Sequence, residues 1–288
     1  MHTSDGQRYQ NEPSPLEGQI ALVTGVRKGI GSAIALTFAE AGADVAVCDI
    51  RTEGGEMDGV AEEIRKLGRR SLAVKTDVTK KAQVDDLVVT VEDEMGPIDI
   101  LANTVGGGRR VTPGPDRYTG EGMPPKGRHF PPAGPNLLDF TEADWDGIMD
   151  LNLKSCFFCC QAAAARMVAR GKGNIITVSS EMGLTAGPPG LPVYHVAKAG
   201  VIMLTKMFAY QLAPFKIRVN TIAPGATSGT YGWDRGSEEV LEYMRRRQPL
   251  YQVATPSDMA AAALFLATDG ARFITGETIL PDGGLSLG

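Results

Sequence analysis

Four cysteines in 288 residues are too few for a disulfide framework, and a chain this long does not need one. They stand at Cys48, Cys156, Cys159 and Cys160, a spacing that matches no zinc-ligand set, so no metal site is expected. Cys156 and Cys160 lie four apart in an apolar helical stretch and are expected to be buried free thiols. Long apolar runs are missing too: no stretch of about 18 uncharged apolar residues occurs, which argues against a membrane span. Segment 1–15 is polar and has no apolar h-region, so no signal peptide is expected. Basic charge is in deficit, with 29 Lys and Arg against 34 Asp and Glu and a net charge of −5. No basic stripe marks a nucleic-acid binder. Arg245, Arg246 and Arg247 stand among Glu238, Glu239 and Glu242, the pattern of a solvated helix face. These absences leave a cytoplasmic protein of a reducing compartment, with enough apolar chain for one large core.

What is present is a rhythm. Short apolar runs rich in β-branched residues fall at 20–24, 44–48, 72–75, 98–102, 174–178, 218–222 and 278–280. Longer helical patterns separate them, at 30–40, 60–66, 82–94, 143–168, 198–212 and 257–267. Strands that are mostly apolar, alternating with helices, predict a parallel sheet covered on both faces. The fold class is therefore α/β, a single-domain Rossmann-type doubly wound sheet of about seven strands. Residues 1–15 read as a flexible polar tail and 16–288 as one folded domain. A Gly/Pro-rich insertion at about 107–136 keeps neither period, and a stretch of that length is either functional or disordered.

The first strand runs into Gly25-Val26-Arg27-Lys28-Gly29-Ile30-Gly31 and then into a helix. Gly25 suits the sharp turn, Gly29 the approach of backbone to a pyrophosphate, and Gly31 the close packing of helix on sheet. The helix start at Ile30 then offers free N–H groups to phosphate charge. The second strand ends at Asp49, whose carboxylate suits the two hydroxyls of an adenosine ribose and repels a 2′-phosphate. That favours NAD over NADP, although Arg27, Lys28 and Arg51 are bases that suit a phosphate. Asp77 and Val78, after the third strand, suit an adenine amino group and ring; a helix-capping role for Asp77 stays open.

The fifth strand ends in Val178-Ser179-Ser180, and in an open α/β sheet that end is where ligands bind. Tyr194-His195-Val196-Ala197-Lys198 opens a helix fourteen residues later, and a spacing of four puts Tyr194 and Lys198 on one face. A neighbouring ammonium stabilises phenolate, so the tyrosine pKa is expected to fall towards the working range.

With Thr24-Gly25-xxx-Gly29-Ile30-Gly31, Asp77-Val78, Leu151-Asn152-Leu153-Lys154, Val178-Ser179-Ser180 and Tyr194-xxx-Lys198, the chain resembles the short-chain dehydrogenase/reductase family. Arg218 to Gly225 and Ile274 to Gly284 also match, so the resemblance spans nearly all of 18–284. It implies Tyr194 as acid/base, Lys198 on the nicotinamide ribose, Ser180 on the substrate oxygen, and Asn152 anchoring a water that relays protons from Lys198. It further implies Asn103, Pro224, Gly225 and Thr227 beside the nucleotide, an alcohol or ketone substrate, and a homo-oligomer, tetramer or dimer, built through the helices at 143–168 and 198–212.

Three departures stand out. The family's Asn-Asn-Ala-Gly is here Asn103-Thr104-Val105-Gly106, which predicts a looser strand contact. The serine-to-tyrosine interval is one residue longer than the family's, so Ser179 competes with Ser180 for the inward position. The insertion carries Arg109, Arg110, Arg117, Lys126, Arg128 and His129 and reads equally as a substrate lid or as a surface loop or oligomer contact. Glu181 stands beside the serine and faces either substrate or loop; Tyr231, Trp233 and Met244 are apolar wall candidates. The leading reading is an NAD(H)-dependent oxidoreductase. Its competitors are an NADPH-dependent carbonyl reductase and a non-catalytic nucleotide-sensing protein.

Overall fold

The computed structural model describes residues 14–52, 54–107, 137, 140–186, 192–230 and 238–287. Most of the tail, nearly all of the insertion, Tyr231 and Trp233 lie outside them. Seven parallel strands are found: β1 (Ile20–Thr24), β2 (Asp44–Asp49), β3 (Ser71–Lys75), β4 (Ile100–Asn103), β5 (Gly173–Val178), β6 (Ile217–Ile222) and β7 (Thr278–Ile279). Their order is β3-β2-β1-β4-β5-β6-β7, so the winding reverses between β1 and β4. A crevice opens at such a reversal, outside the carboxyl ends of the strands.

Within each strand successive side chains enter opposite layers. Ala21, Val23, Val45, Val47, Ile100, Ile176 and Ile222 pack on α1 (Ile30–Glu40), α2 (Glu56–Lys66) and α8 (Pro256–Ala267). Ile20, Leu22, Ala46, Leu101, Ile175 and Val219 pack on α3 (Lys81–Glu94), α5 (Ser155–Arg170) and α6 (Pro192–Leu212). Two apolar layers explain why the strands show no polar alternation. Burying Phe38 of α1, fully inaccessible in the first layer, contributes roughly 1.5–3 kcal/mol.

The pattern at 143–168 predicts one helix, and the structure divides it. α4 (Glu142–Met149) passes through a π turn at Asp150–Lys154 before α5 begins. The Asn152 amide donates to the Ile148 carbonyl, four residues back, at 2.9 Å. Side-chain competition of that kind, with a pull from outside the helix described below, widens the local turn. α7 (Glu238–Arg247) carries the basic run, where Arg245 and Arg246 pair with Glu238 and Glu242 as expected of a solvated face. All four cysteines are free and buried.

Candidate active site

At the reversal, β1 ends in a left-handed Gly25 whose N–H donates to the Cys48 carbonyl at 2.8 Å. Gly31, in the first turn of α1, lies so close to this loop that a Cβ would stand 2.2 Å from the Gly25 carbonyl oxygen. No other residue type fits there without moving the helix. α1 starts after Gly29 with no side-chain cap, so its first N–H groups face the crevice. The 225–230 segment crosses this opening, with the Gly229 carbonyl 3.2 Å from the place of a Cβ on Gly29.

Asp49 ends β2, where its carboxylate accepts from the Arg27 N–H at 3.3 Å and the Arg51 N–H at 3.2 Å. The Arg27 guanidinium leans to Glu56 of α2, 3.5 Å away. Asp77 takes part in a turn before α3, accepting from the Thr79 hydroxyl at 2.6 Å and its N–H at 3.0 Å. This resembles the capping alternative, although α3 itself starts after Lys80. Val78 is buried in the second layer. Asn103, expected beside the nucleotide, also bonds within the fold through its amide. It accepts from the Thr24 hydroxyl at 2.8 Å and donates to the Cys156 carbonyl at 3.4 Å. The loosening expected from Thr104 is not found. Its N–H donates to the Thr24 hydroxyl at 3.2 Å and its hydroxyl to the Thr24 carbonyl, so a threonine ties β1 to β4.

The serine ambiguity has a geometric answer. Ser179 is buried and donates to the Lys198 carbonyl at 2.7 Å. Ser180 donates to Glu181 Oε2 at 2.7 Å, accepts from the Met182 N–H at 3.2 Å, and lies near enough to Tyr194 to lower its pKa. Ser180 is the serine of the pair that meets the tyrosine.

Lys198 lies one turn along α6, its ammonium 5.5 Å from the Tyr194 ring centre and 2.8 Å from the Val178 carbonyl that it donates to. Burial brings its pKa down to about 8, partly offset by Cys156. The Cys156 thiol is held below its ordinary value, first by a hydrogen bond from Cys160 and then, against burial, by the Lys198 charge. Tyr194 departs from expectation: its pKa is raised, by burial first and by the Glu181 charge second, against the Ser180 hydrogen bond. Spacing along the helix identifies the cation; it does not register the apolar surroundings or a carboxylate arriving from another loop.

Asn152 reaches the same place from the π turn. Its Oδ1 accepts from the Gly107 N–H at 2.9 Å and its Nδ2 donates to the Gly107 carbonyl at 3.1 Å. Gly106, which sequence reading did not single out as a contact, fills the gap between. A Cβ on it would lie 2.8 Å from both Asn152 Oδ1 and Lys198 Nζ. Its place two residues after Thr104, at the mouth of the crevice, was the available signal. Pro224 accepts from the Glu181 N–H at 3.0 Å, while the Thr227 hydroxyl donates to the Gly225 carbonyl at 3.0 Å and is buried. Met244 is buried as well.

The family model for short chain dehydrogenases matches residues 19–239. The chain belongs to that family. As a short-chain dehydrogenase it is 35% identical over 272 residues to a (2S)-[(R)-hydroxy(phenyl)methyl]succinyl-CoA dehydrogenase subunit of Thauera aromatica, covering 94% of this chain and 98% of the relative. It is 32% identical over 285 residues to the 2,3-dihydro-2,3-dihydroxybenzoate dehydrogenase of Bacillus subtilis, covering 95% and 98%. Among solved structures it is similar to a 7α-hydroxysteroid dehydrogenase complexed with NADH and 7-oxo glycochenodeoxycholic acid. That match has a TM-score of 0.81 and 31% identity, over 94% of this chain and 96% of the other. As a member of the family this chain is an oxidoreductase that uses a nicotinamide nucleotide. No helix among the described residues is long and apolar enough to cross a membrane.

Proposed function

We propose that the chain interconverts a secondary alcohol and a ketone with NAD(H), using Tyr194 as the acid/base. The observation that carries this is the convergence of Ser180, Tyr194 and Lys198, from β5 and α6, at the carboxyl edge of the sheet beside the glycine loop. Gly25, Gly29, Ile30 and Gly31 would hold the pyrophosphate, a fit supported by an α1 terminus without a side-chain cap. Asp49 would receive the adenosine ribose hydroxyls, Asp77 and Val78 would border the adenine, and Pro224, Gly225 and Thr227 would border the nicotinamide. A nicotinamide nucleotide, when bound, supplies or accepts the hydride.

The chain's own residues handle the proton. In oxidation the Tyr194 oxygen takes the substrate hydroxyl proton while the Ser180 hydroxyl steadies the substrate oxygen. In reduction Tyr194 returns that proton. Lys198, bound to the Val178 carbonyl, keeps positive charge near the ring when protonated, which favours the phenolate that both directions pass through. The Asn152 side chain bonds Gly107 and Ile148 beside Lys198 and would anchor the water that relays protons from that lysine. A second reading, NADP(H), draws on Lys28 and Arg51 near Asp49. Exposed Phe157 of α5 with Met203, Met207 and Tyr210 of α6 supports self-association through these helices into a dimer or tetramer.

The test is steady-state turnover of secondary alcohols with NAD⁺ and NADP⁺, and of ketones with the reduced forms. Tyr194→Phe should lower kcat by roughly 10²–10⁴-fold while nucleotide binding, followed by fluorescence titration, persists. Unchanged turnover in that variant would refute the assignment. A strong NADPH preference in the wild type would refute the Asp49 argument.

A further inference from the structure

Glu181 has no part in the proton transfer just described, yet it bonds one hydroxyl group of that transfer and its charge reaches the other. It is 9% exposed, and its Oε2 accepts the Ser180 hydrogen at 2.7 Å. Tyr194 of α6 and Asp282 of the C-terminal segment lie within electrostatic reach. Among the described residues no lysine, arginine or histidine forms an ion pair with it. Burial pushes its carboxyl pKa up, against hydrogen bonds from Ser180 and the Met182 N–H, and Asp282 adds to the rise. A carboxylate kept in such a place without a cation is costly.

The hydrogen count decides what can satisfy it. A serine hydroxyl has one hydrogen, and here Glu181 receives it. On the reading under Proposed function, on which this inference rests, Ser180 must turn that hydrogen to the substrate oxygen. Glu181 then loses its side-chain donor and keeps backbone N–H groups alone, while negative charge develops on the neighbouring oxygens, and a buried acceptor short of donors is penalised. A second substrate hydroxyl, on the carbon next to the reacting one, removes the penalty. Gauche oxygens on adjacent carbons stand about one hydrogen-bond length apart, as Ser180 Oγ and Glu181 Oε2 do at 2.7 Å. We propose that Glu181 is a specificity-determining residue that accepts a hydrogen bond from this second hydroxyl. The substrate class is therefore vicinal diols and the matching α-hydroxy ketones. Exchanging one hydroxyl for another leaves the net charge around Tyr194 unaltered; an ammonium group would bring a second cation beside Lys198.

The experiment compares kcat/KM for matched pairs, butane-2,3-diol against butan-2-ol and cyclohexane-1,2-diol against cyclohexanol. It uses wild type, Glu181→Gln and Glu181→Ala, with both NAD⁺ and NADP⁺. The wild type should prefer the diol by about tenfold or more. Glu181→Ala should bring the ratio to near one, and Glu181→Gln, which keeps a neutral acceptor, should fall between. Saturation-transfer NMR on Tyr194→Phe supplies a readout without turnover: the diol should bind detectably tighter than the mono-alcohol, and Glu181→Ala added to that background should abolish the difference. Equal use of diol and mono-alcohol by the wild type overturns the assignment and leaves the oxidoreductase reading standing. So does a preference that survives both substitutions, or a preference for 1-amino-2-propanol over the diols. Should the alanine variant fail to fold, undiminished preference in Glu181→Gln is decisive against it. Failure of the wild type to oxidise any of these compounds with either nucleotide overturns the underlying reading, and the Glu181 assignment with it.

Discussion

Gly31 and Gly59 form a controlled pair, because both sit inside helices with ordinary right-handed backbone. Alanine in a helix interior is more favourable than glycine by about 0.8–1 kcal/mol. A Cβ on Gly59 would meet nothing within 4 Å, so Gly59→Ala should realise most of that gain. A Cβ on Gly31 would lie 2.2 Å from the Gly25 carbonyl oxygen and 2.5 Å from Thr104 Oγ1. The nearer atom is backbone, so relief requires α1 to move off the loop and not a rotamer change. Overpacking of this kind costs about 1–3 kcal/mol, with the larger figures expected where backbone must shift. Set against a propensity gain that is smaller in a first turn, Gly31→Ala should lose about 1–2 kcal/mol. The two identical substitutions should therefore move the urea midpoint in opposite directions at similar slope, about 2–3 kcal/mol apart. Gly31→Ala should also weaken NADH binding in a fluorescence titration, since the displaced helix start is the proposed phosphate site. Equal stabilisation by both substitutions would refute the close-packing argument.

Two further predictions follow from the charges. The Lys198 pKa is depressed to about 8, so the folded state is penalised for the charged form. That penalty is absent above the unfolded pKa of about 10.5, grows as pH falls towards 8, and is complete below. Lys198→Met should therefore abolish turnover yet raise the urea midpoint, by a margin that is constant below pH 8 and shrinks between pH 8 and 10.5. A margin independent of pH would contradict the burial argument. Replacing the carboxylate in Asp49→Ser should raise the NADP⁺-to-NAD⁺ ratio of kcat/KM by roughly tenfold or more, measured on one alcohol; an unaltered ratio would show that Asp49 does not select the nucleotide.

Much of the site was legible because it is local. The turn at Gly25 to Gly31 and the pair Tyr194 and Lys198 are each set within a few residues, where helical period or backbone conformation dictates who meets whom. Contacts between distant segments were not legible. Nothing near Ser179 says that its hydrogen goes to the Lys198 carbonyl, leaving Ser180 to meet Tyr194. Nor does anything near Asn103 say that its side chain joins Thr24 and α5, where neighbouring strands deliver polar groups to the same depth.

The sequence by itself determined the alternation of strands and helices, their two-sided burial, and the order of the glycine loop, the strand-end serines and the Tyr194–Lys198 helix. These follow from periodicity and turn chemistry, which act over a few residues. Only the tertiary structure decided the break at Asp150–Lys154, the meeting of Gly106 with Asn152 and Lys198, and the direction of the Tyr194 shift. Each depends on groups from separate elements sharing one buried volume, where desolvation and a neighbouring carboxylate outweigh a cation one helical turn away.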